Sequence, residues 1–341
     1  MRRNVLIFHA GALGDFILTW PLALALGRLH PQSRIVYVSA AGKGRLAEKA
    51  LGVEWTDGEA GWHKLYEPDG VLPPAGAKLL ADAHSIYTFV AGCEAGNPPS
   101  PSPCTQGEGI RAGEPAGALA SAEGVWMNNI RRLAPGAKVV VLEPRPAEGY
   151  GQAWGEFLIE QLSAMPAVGE SVRQMTMAVN QRGLRCGRGG LPVGAGGGDV
   201  VIHAGAGSPR KCWPVDRYVE LACRIKDQLG RPVRMAIGEV EQETWSGDVM
   251  EKLATAGKIV RPASYVDLMA ELSTAAGYVG NDSGPTHLAA MMGVAAVALF
   301  GPTDAAVWRP PGPRVGCISG WPMETIDVDA VYEKLVGVMN R

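Results

Sequence analysis

The chain of 341 residues lacks most of the features that would tie it to a membrane, a metal or a disulfide framework. No apolar run approaches the roughly eighteen uninterrupted residues that a membrane-spanning helix needs. The first strand, beginning at Asn4, has no long apolar signal-peptide core before it. Six cysteines, Cys93, Cys104, Cys186, Cys212, Cys223 and Cys317, form no Cys-x-x-Cys pair, and scattered thiols fit a reduced, cytoplasmic protein better than a disulfide scaffold or a zinc site. A formal net charge of −2 removes any global reason to expect nucleic acid or an anionic membrane surface as partner. No internal repeat stands out. No Gly-x-Gly-x-x-Gly follows a strand, which argues against a dinucleotide-dependent oxidoreductase.

What is present is concentrated in Gly280-Asn281-Asp282-Ser283-Gly284-Pro285-Thr286-His287, followed by an apolar run to Phe300 and then Gly301-Pro302-Thr303-Asp304. Ala275 to Val279 reads as the end of a buried strand, and Asp282 falls where it stops. Ser283 is positioned to cap a helix that Pro285 opens, because proline fits a first helical turn without losing a needed N–H. Ala295 to Phe300 is the next strand. The unit places polar side chains at the carboxyl end of a parallel strand, where open α/β sheets bind ligands, and a helix start there suits a phosphate.

The amino terminus has the same grammar. Val5 to Phe8 is a strand, Gly11-Ala12-Leu13-Gly14-Asp15 a glycine-rich turn, Phe16 to Leu29 a helical spacing and Ile35 to Val38 a second strand. A carboxylate at a helix start would repel a pyrophosphate placed there. Asp15 therefore reads as a carboxylate mounted toward a cleft, or more simply as a helix-dipole or helix-capping residue. Ser85 to Val90 and Val139 to Leu142 read as strands and Trp154 to Leu162 as a helix. The Gly-, Pro- and Ala-rich stretch from Gly92 to Gly124 reads as a long loop.

Gly183 to Gly198 is a glycine-dense linker. It divides a domain over 1–182 from a second over 199–326, closed by a helix in 327–341. The second half begins with strand Val200 to Ile202, ending in His203-Ala204-Gly205-Ala206-Gly207-Ser208-Pro209-Arg210-Lys211. A helix over Arg217 to Gln228 and a strand over Val233 to Ile237 follow, the latter ending in Gly238-Glu239-Val240-Glu241. Alternating strands and helices argue for two doubly wound, Rossmann-like α/β domains facing across a cleft.

Four strand ends of the second half carry polar groups: Ser208 with Lys211, Glu239 or Glu241, Asp282 to His287, and Thr303. A nucleotide suits that edge, with backbone N–H groups and Lys211 on the diphosphate and a carboxylate on the ribose or base. With Asp15 on the other domain, the pattern describes a nucleotide-sugar glycosyltransferase.

These residues resemble glycosyltransferase family 9, the heptosyltransferases of lipopolysaccharide core biosynthesis. Three segments carry the likeness: Val5 to Pro21, Val201 to Tyr218 with His-x-Gly-Ala-Gly-Ser and Lys-x-Trp-Pro, and Tyr278 to Asp304. The resemblance implies a GT-B fold, an ADP-sugar donor, with heptose as the sugar, and inversion at the anomeric carbon. By position it makes Asp15 the general base. Lys211 becomes the diphosphate lysine, and Asp282, Ser283, Gly284 and His287 the donor loop. Ser208 and Thr303 join the donor side, Glu241 is the choice for the nucleoside carboxylate, and Gly14 and His9 fall on the acceptor side. His9 stands where the family carries arginine or lysine, and the 92–124 stretch has no counterpart in the family pattern.

The expected activity is inverting, metal-independent transfer from an ADP-sugar to a hydroxyl of a saccharide or lipopolysaccharide-type acceptor. No cofactor is expected, no nucleic acid, and a peripheral contact with the inner membrane surface. Asp327-Val328-Asp329 spells the Asp-x-Asp of metal-dependent transferases, but it precedes the last helix, where capping is the better reading. A GT-B nucleotide-sugar epimerase and a non-catalytic nucleotide-sugar-binding protein are the competing readings.

Overall fold

The computed structural model describes residues 3–89, 122–184 and 198–341. Among these residues two parallel sheets form. The first has β1 (Asn4–Phe8), β2 (Arg34–Ser39), β3 (Glu54–Asp57), β4 (Ala83–Thr88) and β5 (Lys138–Val141), in the order β3-β2-β1-β4-β5. The second has β6 (Val200–His203), β7 (Val233–Ala236), β8 (Lys258–Val260), β9 (Gly277–Asn281), β10 (Ala296–Phe300) and β11 (Val315–Ser319), in the order β11-β10-β9-β6-β7-β8. Both orders place the first strand centrally and wind outward on each side, which is the doubly wound Rossmann pattern. The α/β, GT-B reading of the sequence thus meets two Rossmann-like units.

The residue types explain the strands. A parallel strand covered by helices on both faces reads as a continuous apolar run. Val5, Leu6 and Ile7 of β1 and all of Ala296–Phe300 in β10 are fully buried. Edge strand β3, Glu-Trp-Thr-Asp, is only partly covered. In the second unit, helix Val215–Leu229 buries Tyr218, Leu221, Ala222 and Ile225, the spacing of one helical face. It packs into a core shared with Val279, Val297, Leu299 and the final helix Val328–Met339.

By packing, Met1–Gly11 and Leu22–Pro146 make one compact unit, and Ala12–Pro21 with Ala147–Arg341 make the other. The glycine-rich turn from Ala12 onward and the short helix behind it therefore belong to the unit that carries the second sheet. The apolar spacing over Phe16 to Leu29 is not one helix but two, Leu13–Leu18 and Trp20–Leu29. They break at Thr19, whose hydroxyl donates to the Phe16 carbonyl at 2.7 Å and competes with the helical ladder. The long loop expected over 92–124 is corrected at its end, where helix Ala122–Leu133 begins. Its remainder, with Cys93 and Cys104, lies outside the described residues, as do Cys186 and most of the glycine-rich linker. Cys212, Cys223 and Cys317 are free thiols. Among the described residues no helix is long and apolar enough to cross a membrane.

Candidate functional site

Strands β6 and β9 are neighbours, yet the chain leaves β6 toward β7 and β8 and leaves β9 toward β10 and β11. That reversal opens a crevice at their carboxyl ends, the usual ligand position in such a sheet. The two loops that line it are tied together by Asn281, the last residue of β9, which is fully buried. Its Nδ2 donates to the carbonyls of Ala204 at 2.8 Å and Gly205 at 3.1 Å. Its Oδ1 accepts from the Trp213 backbone N–H at 3.0 Å and the Tyr218 hydroxyl at 2.9 Å. All the hydrogen-bonding capacity of one amide is spent on holding the loop after β6 against the end of β9.

Asp282 follows. Its Oδ2 accepts from Lys211 Nζ at 2.7 Å and from Thr303 Oγ1 at 2.8 Å, while Oδ1 lies 3.6 Å from His287 Nε2. Burial by itself would raise the carboxyl pKa, but His287 and the Lys211 charge outweigh it and hold Asp282 well below the usual carboxylate range. An ionised Asp282 thus gathers residues from the ends of β6, β10 and the helix after β9. Lys211 keeps more of its side chain in solvent than Asp282 does, 29% against 8%. Of the pair, the lysine is the more accessible.

Ser283 takes the N-cap position of helix Gly284–Met291 as expected, but its side chain does not cap. The hydroxyl lies 3.4 Å from Thr286 Oγ1, and Thr286 in turn donates to the Asn281 carbonyl. Ser264, at the start of helix Tyr265–Ser273, has nearly the same backbone (φ −153°, ψ 168° against −155°, 165°) and accepts from the Asp267 N–H at 3.2 Å. The capping expectation for Ser283 is therefore corrected. Thr286 occupies the hydroxyl, and the Ser283 and Gly284 N–H groups have no recorded acceptor among the described residues. Open N–H groups at a helix start form an anion site.

Helix Leu13–Leu18 packs directly on this helix, within the same unit. A Cβ at Gly284 would overlap Leu13 at 2.6 Å, so that glycine is required by the close approach, and one at Gly14 would make a tight 3.3 Å contact with His287 Cδ2. Asp15 sits in the first turn of this helix, partly buried. The N-cap is Ala12, with no side-chain cap, so Asp15 is not the capping residue.

Glu241 and His203 lie one strand over. Glu241 is buried in the first turn of helix Glu239–Thr244, where its Oε2 accepts from the Gly238 N–H at 2.8 Å and stands 3.7 Å from His203 Nε2. Gly205 makes room for it, since any Cβ there would overlap the carboxylate. Burial lowers the His203 pKa, with Glu241 opposing. Ser208 accepts the Lys211 N–H on its carbonyl at 3.0 Å, shaping the turn that delivers the lysine. In the first unit, His9 directly follows β1 and is buried, and burial together with Lys43 lowers its pKa to about 3. Lys43 reaches from helix Ala41–Leu51 to the carbonyls of Ala10 and Gly11.

Lys211, Asp282, Thr303 and His287 are thus one connected group, with Gly14, Gly284 and Ser283 packed around it. Glu241 is engaged with Gly238 and His203. Asn281 lies in the motif singled out from the sequence but has no role assigned there, and Lys43 is not singled out at all. Among the described residues no group of three or more His, Cys, Asp or Glu could hold a metal ion. Asp327 caps the last helix, accepting from Asp329 and Ala330 N–H at 3.1 and 3.3 Å.

Comparison with known proteins identifies the fold and the family. A curated relative, lipopolysaccharide heptosyltransferase 3 of Escherichia coli (strain K12), is 29% identical over 114 residues; the match spans only a third of this chain and a third of that protein. Among solved structures, a family 9 glycosyl transferase from Veillonella parvula DSM 2008 aligns with a TM-score of 0.65 at 15% identity, covering 99% of this chain and 97% of that one. E. coli ADP-heptose lps heptosyltransferase II aligns with a TM-score of 0.63 at 16% identity over 100% and 99% of the two chains. E. coli heptosyltransferase WaaC with ADP aligns with a TM-score of 0.60 at 15% identity over 97% and 98%. At such identities these structures establish the shared fold. The family model for glycosyltransferase family 9 (heptosyltransferase) matches residues 157–334, more than half of the sequence, and the chain belongs to that family.

Proposed function

We propose that the protein is an inverting, metal-independent glycosyltransferase that moves a sugar, heptose by analogy with the relatives, from an ADP-sugar to a hydroxyl of a saccharide or lipopolysaccharide-type acceptor. The observation that carries this reading is the packing of two helices in one unit. Helix Leu13–Leu18 brings Asp15 in its first turn, and helix Gly284–Met291 brings an open start beside Lys211 and Asp282. A proton acceptor and an anion site are thereby held on adjoining elements.

In this mechanism the Asp15 carboxylate takes the proton of the acceptor hydroxyl as that oxygen bonds to the anomeric carbon. The bond from that carbon to the phosphate oxygen breaks, and its electron pair leaves with ADP. Attack from the face opposite ADP inverts the configuration. Lys211 and the Ser283 and Gly284 N–H groups meet the charge that grows on the diphosphate. Asp282, Thr303 and His287 hold Lys211 and the helix start in register. Ser208 shapes the lysine turn, and Glu241 reaches the nucleoside. Gly14 and His9 belong to the acceptor side. The cytoplasmic setting and a peripheral membrane contact are part of the same proposal.

The test is incubation of the protein with ADP-heptose, with and without a heptose-accepting saccharide. The expected result is ADP release that depends on acceptor, persists in EDTA and yields the opposite anomer by NMR. Release of free or isomerised sugar without acceptor would replace this reading with the epimerase. Binding of ADP-heptose without any turnover would replace it with the binding protein. Activity lost in EDTA and restored by magnesium or manganese would overturn the metal-free step.

A further inference from the structure

Among the described residues Trp321 stands out as an indole left open. Trp20, Trp126, Trp154 and Trp213 are fully buried, whereas Trp321 is 51% exposed. It follows β11 at the carboxyl end of the second sheet, one residue after Gly320, whose N–H donates to the carbonyl of Phe300 at the end of β10. Beneath it, a Cβ on Gly301 would overlap Met323 and approach Trp321 Cε3 at 3.3 Å, so the chain after β10 is kept bare for the ring to rest on. The Arg210 guanidinium lies 5.4 Å from the ring centroid. Arg210 is itself exposed and immediately precedes Lys211, the cation paired with Asp282.

The position in the sheet gives this pair a meaning. Strand order puts Glu241, after β7, on one side of the β6–β9 crevice, and β10 and β11 on the other. A nucleotide whose diphosphate lies at Lys211, and whose nucleoside runs toward Glu241, directs its other end toward β11. Two strand spacings, roughly 10 Å, separate β9 from β11. The far end of the edge thus carries a broad aromatic surface and a guanidinium rich in donors.

We propose that Trp321 and Arg210 form a saccharide platform, a subsite that takes the apolar C–H face of a sugar ring on the indole and its hydroxyl or carboxylate edge on the guanidinium. The proposal rests on the glycosyltransferase reading above. The chemistry is complementary. Ring C–H groups carry a slight positive charge and meet the negative face of the indole, and arginine offers five donors but no acceptor. The cation–π contact holds the two side chains together when no sugar is bound. The sugar belongs either to the donor or to the acceptor, and the measurements separate the two.

Trp321→Ala, Trp321→Phe and Arg210→Ala would be compared with the intact chain in three titrations: ADP, ADP-heptose, and a heptose-bearing oligosaccharide alone followed by tryptophan fluorescence. In Trp321→Ala, ADP affinity is expected to stay near that of the wild type. The advantage of ADP-heptose over ADP, or else the acceptor affinity, is expected to fall by about two- to tenfold, the acceptor KM rising in step. Trp321→Phe should recover most of that loss, and Arg210→Ala should share it. Loss on the donor side assigns the platform to the donor sugar; loss on the acceptor side assigns it to the acceptor. Equal weakening of ADP and ADP-heptose, or no change in any titration, would overturn the platform. Should the wild type bind oligosaccharide through Trp321 but not ADP, the platform would stand and the nucleotide-sugar reading would fall.

Discussion

The two sheets share a winding order but not the chemistry at their carboxyl edges. Each central first strand leads to a buried histidine: His9 directly after β1, and His203 as the last residue of β6. Beside His9 stands a cation, Lys43, turned onto the carbonyls of Ala10 and Gly11. Beside His203 stands an anion, Glu241. Further along the second edge, Lys211 is matched with Asp282 and the Ser283 and Gly284 N–H groups are left open. One topology therefore supports a closed edge, where a lysine completes the backbone's own hydrogen bonding, and an open one, where two helix-start N–H groups have no acceptor among the described residues. The fold sets where a site can be; the side chains decide what it could bind.

The largest effect should come from Asp15, which packing assigns to the unit of the open edge. Asp15→Asn keeps size and shape and removes the ability to accept a proton. General-base catalysis typically contributes about a hundred- to ten-thousandfold, so kcat should drop by that order while ADP affinity stays nearly constant. Near-normal turnover in the variant would return Asp15 to a purely structural role and leave the open edge without a base.

Lys211→Ala comes next. Losing a charge-assisted contact costs about 1.5–3 kcal/mol, or roughly ten- to a hundredfold in ADP affinity by calorimetry. Asp282→Ala should also weaken ADP. Because the two side chains are paired at 2.7 Å, the double variant should lose less than the sum of the singles. Strict additivity would mean that Asp282 does not act through Lys211. The corresponding cation of the closed edge gives the contrast: Lys43→Met should leave ADP affinity unchanged.

The buried histidines predict how stability follows pH. The folded pKa of His9, about 3, lies below its ordinary value of 6.5. Below 6.5 the unfolded chain therefore binds the proton and the folded one does not. Stability is complete above that pH and falls as pH drops toward 3. At pH 5.5 His9 alone should remove about 1.4 kcal/mol, read from urea unfolding at a series of pH values. His203 is shifted in the same direction and adds to the slope. His9→Gln should flatten the curve; an unchanged slope would show that His9 is not the neutral, buried group described.

Local pattern carried much of this into the sequence, and long-range pairing did not. Apolar runs such as Val5 to Phe8 and Ala296–Phe300 announce central parallel strands because both faces are buried. Edge strands β3 and β11 carry Glu54 and Asp57, or Gly316 and Ser319, and lack such a run. Helix Ala41–Leu51 is obscured by Gly42 and Gly44, and with it Lys43. The polar strand ends of the second unit are legible as a cluster, since each follows its own strand. What joins them is not legible. Asn281 reaches partners 63 to 77 residues away, and Lys211 meets Asp282 across 71. Spacing cannot show that a serine at a helix start leaves the backbone uncapped, because the deciding contact is Thr286 on the Ser283 hydroxyl and the Asn281 carbonyl.

That last point gives the smallest and most discriminating prediction. Ser264 and Ser283 share residue type, position and backbone angles, and differ in what the hydroxyl does. Ser264 accepts from the Asp267 N–H, so Ser264→Ala should cost about 1 kcal/mol of stability, the typical loss of a serine cap. Ser283 accepts no N–H of its own helix, so Ser283→Ala should cost only a few tenths of a kcal/mol, because no capping bond is lost. Adding ADP should reverse the ranking. The Ser264 variant should gain as much in unfolding midpoint from saturating ADP as the wild type does, since Ser264 takes no part in the Lys211–Asp282 group. The Ser283 variant keeps its N–H donors and loses only a hydroxyl near the diphosphate, so its gain should shrink by the worth of one neutral hydrogen bond, about 1 kcal/mol at most. Equal stability losses in the two variants without ligand would mean that the Ser283 hydroxyl does cap its helix. The open edge would then be closed like any other helix start.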